Sequence, residues 1–146
     1  MKRLRNAVIY FAVFLALSIG GYWLLGVSQQ TVSFGETKVQ VDIADDGQER
    51  LLGLGDYDGL NANQGLLFVF EQPDKHGIWM KDVEFPIDVV WLDESRNIIH
   101  IVKEMQPSSY PEVSKPDQNA KYVIELPAGF VENNNVNEGD NVEFSF

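Results

Sequence analysis

Residues 65–93, GLLFVFEQPDKHGIWMKDVEFPIDVVWLD, narrow what this chain can become. Two apolar runs, Gly65–Phe70 and Ile87–Leu92, are short for helices and flanked by turn formers, so they read as buried strands. Pro86 opens the second run, in which Ile87, Val89 and Trp91 share one face and Asp88, Val90 and Leu92 the other. Gly77–Met80 begins a strand between them. The turn DESRN follows, and IIHIVK returns, which predicts a hairpin.

The flanking segments extend a β-rich pattern. Val39, Val41 and Ile43 alternate with Lys38, Gln40 and Asp42, and Gly35-Glu36 turns a small hairpin before them. DDGQERLLGL predicts one or two helical turns, with Asp46 as N-cap and Glu49 completing a capping box. Gly53 or Gly55 stops that helix. Residues 56–64 are a loop whose Asp56, Asp58, Asn61 and Asn63 match no Ca²⁺-binding pattern. Residues 106–119, with three prolines, form a long loop that is either a lid or a plain mobile connection. AKYVIEL is a strand, Pro127 starts a short helix over AGFVEN, and NVEFSF is a last strand.

Charge is distributed unevenly. From residue 28 on, eight Lys and Arg stand against 22 Asp and Glu, a balance of −14. Such a domain repels nucleic acid, whose binding rests on cationic side chains neutralising phosphates, and repels anionic lipid equally. There is no cysteine, which excludes disulfides, thiolate metal sites and thiol catalysis. His76 and His100 are too few for a zinc site without carboxylate help, so no metal and no cofactor is expected. Residues 93–104 carry oxygen donors at EF-hand spacing, but Ile98 occupies the glycine position and strands flank the segment.

Residues 7–27, AVIYFAVFLALSIGGYWLLGV, are 21 positions without a charge, roughly 30 Å as a helix and long enough to cross a bilayer. Lys2, Arg3 and Arg5 precede them and no basic residue follows before Lys38, so the positive-inside rule places the remainder outside the cytoplasm. A cleaved signal peptide, and hence secretion, is the rival reading. The expected organisation is a membrane anchor over 1–27, a linker and entry strand over 28–38, and a β domain over 39–146.

GLLFVF at 65–70, WMKD at 79–82, FPIDVVWLD at 85–93, and YVIELPAGF at 122–130 with Gly139-Asp140 resemble the DUF192 family, small prokaryotic domains of unknown function. The resemblance runs from about residue 39 to the C-terminus. It implies a mainly β, single-domain sandwich of jelly-roll type with one or two short helices, in line with about eight short strands. It implies no activity. Two elements depart from the family pattern. Its Gly-Leu-Met-Phe-Arg element is Gly53-Leu54-Gly55-Asp56-Tyr57 here, and its Phe-Trp-Met-Lys-Asn-Thr is Ile78-Trp79-Met80-Lys81-Asp82-Val83.

The candidate ligand-binding residues are Arg50, Trp79, Met80, Lys81, Asp82, Asp88 and Glu125. Trp79 with Lys81 and Asp82 has the makeup of a small-molecule site, a polar pair beside an aromatic face. Glu125, alternating with buried positions, is placed to answer Lys81 or Arg50. Asp88 lies in an apolar strand and must be paired, hydrogen-bonded or at a cavity. Backbone amides or Arg50 are its structural partners. If Leu92 pairs with Ile98, Asp88 and His100 become diagonal neighbours on one face. That couple would suit an envelope hydrolase with Asp88 as general base and His100 or Glu125 assisting. The preferred reading is a non-enzymatic binding or accessory module for a small polar ligand or envelope component. A structural partner of envelope proteins is the third.

Overall fold

The computed structural model describes residues 30–145. The membrane anchor expected at 7–27 lies outside them. Within them, no helix is long and apolar enough to cross a membrane.

The alternating segments become strands in the expected order: β1 (Gln30–Phe34), β2 (Thr37–Ala44), β3 (Gln64–Asp74), β4 (Ile87–Leu92), β5 (Ile98–Met105), β6 (Ala120–Pro127) and β7 (Val142–Glu143). Two short helices join them, α1 (Gly47–Leu52) and α2 (Phe130–Asn133). The mainly β expectation therefore holds.

The two facing sheets of a sandwich are absent from the described residues. All seven strands form one sheet in the order β5-β4-β6-β3-β2-β1-β7. Every neighbour is antiparallel except β2 and β3, which run parallel across the crossover that carries α1. The sheet curls until its two ends meet. Ile98 N–H donates to Asp140 O and Gly139 N–H to Ile98 O, both at 2.8 Å, while Val142 N–H donates to Arg96 O at 3.0 Å. A twisted sheet of this width can thus satisfy its edge groups by closing on itself instead of adding a second layer.

Pleating divides the core in two. Inside the curl lie Val32, Val41, Leu67, Val90, Leu92, Ile124, Leu126, Phe130 and Val142. On the outer face, Leu54, Leu66, Phe68, Ile78, Met80, Val89, Trp91 and Val123 pack under α1 and the long connections. Two expected elements differ. Gly77–Met80 makes a single bridge, Ile78 with Ser114, instead of a strand. Pro127 ends β6, and α2 begins three residues later behind Gly129. The helical turns at 130–133 are capped from another strand, described below, so local sequence alone did not locate their start.

Candidate functional site

The residues around α1 are held by strictly local chemistry. Asp46 accepts hydrogen bonds from Gln48 N–H and Glu49 N–H at 2.8 Å each, and Glu49 Oε2 accepts from Asp46 N–H at 3.3 Å, which completes the predicted capping box. Gly53 closes the helix at φ 53°, a backbone geometry that favours glycine. Arg50, in the last turn, reaches across the sheet edge. Its guanidinium donates to Asp45 O and to Val69 O and lies 5.3 Å above the Phe70 ring.

The connection from 75 to 86 is pinned from below. Trp91, fully buried in β4, donates its indole N–H to His76 O at 2.8 Å. Ile78 exchanges both backbone bonds with Ser114, each 2.9 Å, and Trp79 meets Tyr110 edge-on at 6.4 Å. The proline-rich 106–119 segment therefore lies alongside residues 77–80. Asp82 takes φ 61°, in the left-handed region where Asn and Asp are the best-tolerated side-chain-bearing residues. Backbone geometry thus accounts for a short polar residue at that position.

Between α1, the 77–83 connection and the outer face of β3 and β6 lies a recess of about 310 Å³ including its open mouth, with room for the centres of water-sized groups in only about 30 Å³ of it. Arg50, Trp79, Lys81 and Glu125 line it, together with Leu51, Leu52, Gly53 and Phe68. Four of the seven candidates thus converge. Met80 does not, being buried in the outer-face core. Asp82 is exposed beside Lys81, 3.9 Å from its ammonium. Asp88 lies on the opposite face of the sheet, alternating with Val89 and Trp91 along β4.

Glu125 is the most unusual group in this site. Its residue is 3% exposed, and Oε2 has no hydrogen-bond partner. Burial alone pushes its carboxyl up to about 8, so the acid is mostly neutral at pH 7. The expected answer from Lys81 or Arg50 is absent: neither forms an ion pair with it. The cause is geometric, since Arg50 is drawn to backbone carbonyls and Phe70, and Lys81 to the surface beside Asp82. Nearby, Tyr57 donates to Asp42 Oδ2 at 2.6 Å. Its phenol is raised by burial first, then by that bond and by the Asp42 and Glu125 charges.

Asp88 has the opposite character. It is 0% exposed, yet Oδ1 accepts from Glu104 N–H at 2.8 Å and Gly129 N–H at 3.3 Å, and Oδ2 from Val131 N–H at 2.8 Å. It therefore caps α2 from a distance and ties that helix to the start and end of the β4–β5 hairpin. The pairing of Leu92 with Ile98 is as expected. A register shift between Trp91 and Leu92 then sets Trp91, not Val90, opposite His100. His100 packs on the Trp91 ring at 5.1 Å and lies 3.7 Å from Glu138. One extra residue moves the imidazole to the other face, and the Asp88–His100 couple does not form. Among the described residues, no three His, Asp or Glu side chains gather as metal ligands.

Sequence reasoning named Trp79 at the recess but missed Leu51 and Leu52, which also line it, and the loop residues Tyr110 and Val113. Leu51, Leu52, Trp79, Tyr110 and Val113 are the exposed large apolar side chains of the described residues. Leu51-Leu52 next to a helix-stopping glycine was a visible signal, because a short helix has no second face on which to bury both. Tyr110 and Val113 carried no signal, since loop residues reach the rim only through the Ile78–Ser114 bridge.

Comparison with known proteins places these features in a family. A UPF0127 protein of Thermococcus gammatolerans is 33% identical over 82 residues, covering 55% of this chain and 51% of that one. A second, from Thermococcus kodakarensis, is 32% identical over 87 residues, covering 58% and 53%. The chain thus spans about half the length of the curated relatives it matches. A crystal structure from Sinorhizobium meliloti 1021, of a protein bearing the name of a transcription regulator, superposes with TM-score 0.76 at 26% identity, covering 82% of this chain and 96% of that one. Another, of a protein of unknown function from Novosphingobium aromaticivorans, gives TM-score 0.71 at 24% identity over 79% and 83%, a likeness of fold alone. The DUF192 family, described as an uncharacterized ACR, matches residues 29–144, and this chain belongs to it.

Proposed function

We propose that the domain is a non-enzymatic binding module, held outside the cytoplasm by residues 7–27, that takes a small polar group in the recess between α1 and the 77–83 connection. The observation that carries this reading is the buried, unpartnered oxygen of Glu125, a residue that lines that recess. A buried polar atom without a partner costs stability unless something else satisfies it. Arg50, Lys81 and Trp79 on the walls supply the mixture of polar and aromatic groups typical of small-ligand sites. Nothing in the geometry favours the hydrolase alternative. Both oxygens of Asp88 are committed to backbone amides, and His100 lies across the sheet.

A second reading, docking of an envelope protein, draws on the exposed rim of Leu51, Leu52, Trp79, Tyr110 and Val113. One comparison separates the two. The full-length chain is titrated with small polar metabolites, and separately used to capture membrane proteins. Ligand binding that disappears in both Trp79→Ala and Glu125→Ala supports the recess. Binding unchanged by either substitution defeats it, and partner capture lost only in Leu51→Ser favours docking.

A further inference from the structure

The recess has three properties that together specify the chemistry of its occupant. Its free space is small. About 30 Å³ over the whole recess admits one or two waters, or a single compact polar group, and no sugar ring or phosphate ester. Its polar walls carry donors and positive charge, Lys81 and Arg50, in a domain whose overall balance is −14. Its mouth is apolar, formed by Leu51, Leu52 and Trp79, with Tyr110 against Trp79.

We propose that the recess binds a small amphiphilic monocarboxylic acid, its carboxylate accepting a hydrogen bond from the Glu125 carboxyl that lines the recess and its apolar chain lying against Leu51, Leu52 and Trp79. This rests on the reading of the recess as a binding site. An acid–carboxylate bond is short and charge-assisted, and it satisfies Glu125 Oε2, which with Ser109 Oγ is one of two buried side-chain oxygens without a partner among the described residues. Lys81, half-exposed and held only by a 3.9 Å contact with Asp82, is free to turn toward an anion. An ammonium in the same place would face Lys81 and Arg50 at close range. The −14 of the whole domain acts over longer distances, where salt screens it.

Burial holds Glu125 neutral against two cations of the same recess, which by themselves would favour its charged form. From α1 and its following loop come Arg50 and Tyr57, the latter bonded to Asp42 of β2, and from the 77–83 connection Lys81 with Asp82. Leu66 and Val89, its paired neighbours on β3 and β4, are uncharged. A donor proton that is present at pH 7 and leaves near 8 gives carboxylate binding a defined pH dependence. Affinity is level between about pH 6, where the ligand is fully ionised, and pH 7, and falls about tenfold between pH 7 and pH 9.

The test is calorimetric titration of the full-length chain with butyrate, butylammonium and butanol, which share a chain and differ in the polar group. Butyrate binds best at pH 7 and weakens about tenfold by pH 9. In Glu125→Gln, whose amide donates at every pH, butyrate binds equally at both. In Lys81→Met, an exposed position, butyrate weakens about threefold while butanol is unaffected. Butylammonium binding in preference to butyrate, or a pH slope that persists in Glu125→Gln, overturns the carboxylate assignment and leaves the recess a binding site. Absence of binding by all three overturns the assignment and, with it, the binding reading.

Discussion

Asp88 of β4 and Glu125 of β6 are both buried carboxyls, and their side chains leave opposite faces of the sheet. Asp88 meets three backbone N–H groups, so replacing it with Ala strands donors of Glu104, Gly129 and Val131. That substitution is expected to cost about 3 kcal/mol in urea unfolding while leaving ligand titrations of the recess unchanged. Glu125 meets none, and its carboxyl is held up at about 8 by burial. The folded state therefore keeps a proton that the unfolded chain releases above its ordinary value near 4.5. Stability from this group is complete below about 4.5, falls as pH rises to about 8, and is level beyond. Glu125→Gln removes that slope, so thermal melting of the variant and the parent should diverge progressively between pH 5 and pH 8, with the variant the more stable. Equal slopes would show that the carboxyl is charged and compensated in the folded protein.

The elements around the recess depend on local devices of different legibility. The capping box of α1 is readable from the spacing of Asp46 and Glu49, because its bonds close within three residues. Asp46→Ala should lower stability by about 1 kcal/mol and, by loosening the helix that carries Arg50, Leu51 and Leu52, weaken any ligand of the recess. Close approaches between elements are not readable. A methyl group on Gly65 of β3 would stand 2.7 Å from Glu125 O, and one on Gly77 would stand 2.4 Å from Val113 Cγ1. Gly65→Ala meets rigid backbone in the middle of the sheet and is expected to cost about 3 kcal/mol by denaturant unfolding. Gly77→Ala meets an exposed loop side chain, so a smaller loss, about 1 kcal/mol, is expected, with increased protease cutting within 106–119. If Gly77→Ala were as damaging as Gly65→Ala, that loop would be more rigidly held than its contacts imply.

At the scale of the molecule, a balance of −14 on residues 28–146 sets a self-repulsion that salt relieves. Raising sodium chloride from 10 to 150 mM should increase the melting temperature, and the gain should be nearly complete once the screening length falls below about 10 Å. A melting temperature that falls with salt would mean that the few ion pairs, such as Lys103 with Glu132 at 2.6 Å, outweigh the general repulsion.

Local patterns determined the elements: the alternation in 39–43, the apolar runs at 65–70 and 87–92, and the family motifs all act over a few residues. They sufficed for a mainly β chain, its two short helices and its family. Tertiary structure decided the rest. Whether the strands stack as two sheets or curl as one depends on hydrogen bonds between Arg96–Ile98 and Gly139–Val142, residues more than 40 positions apart. A single bulge after Trp91 decided which face His100 occupies, and so dissolved one candidate pair. The recess combines α1, the 77–83 connection and β6, and Glu125 is unusual only because the side chains folded over it bring no partner. Burial of that kind is a property of the assembled packing, and no run of neighbouring residues encodes it.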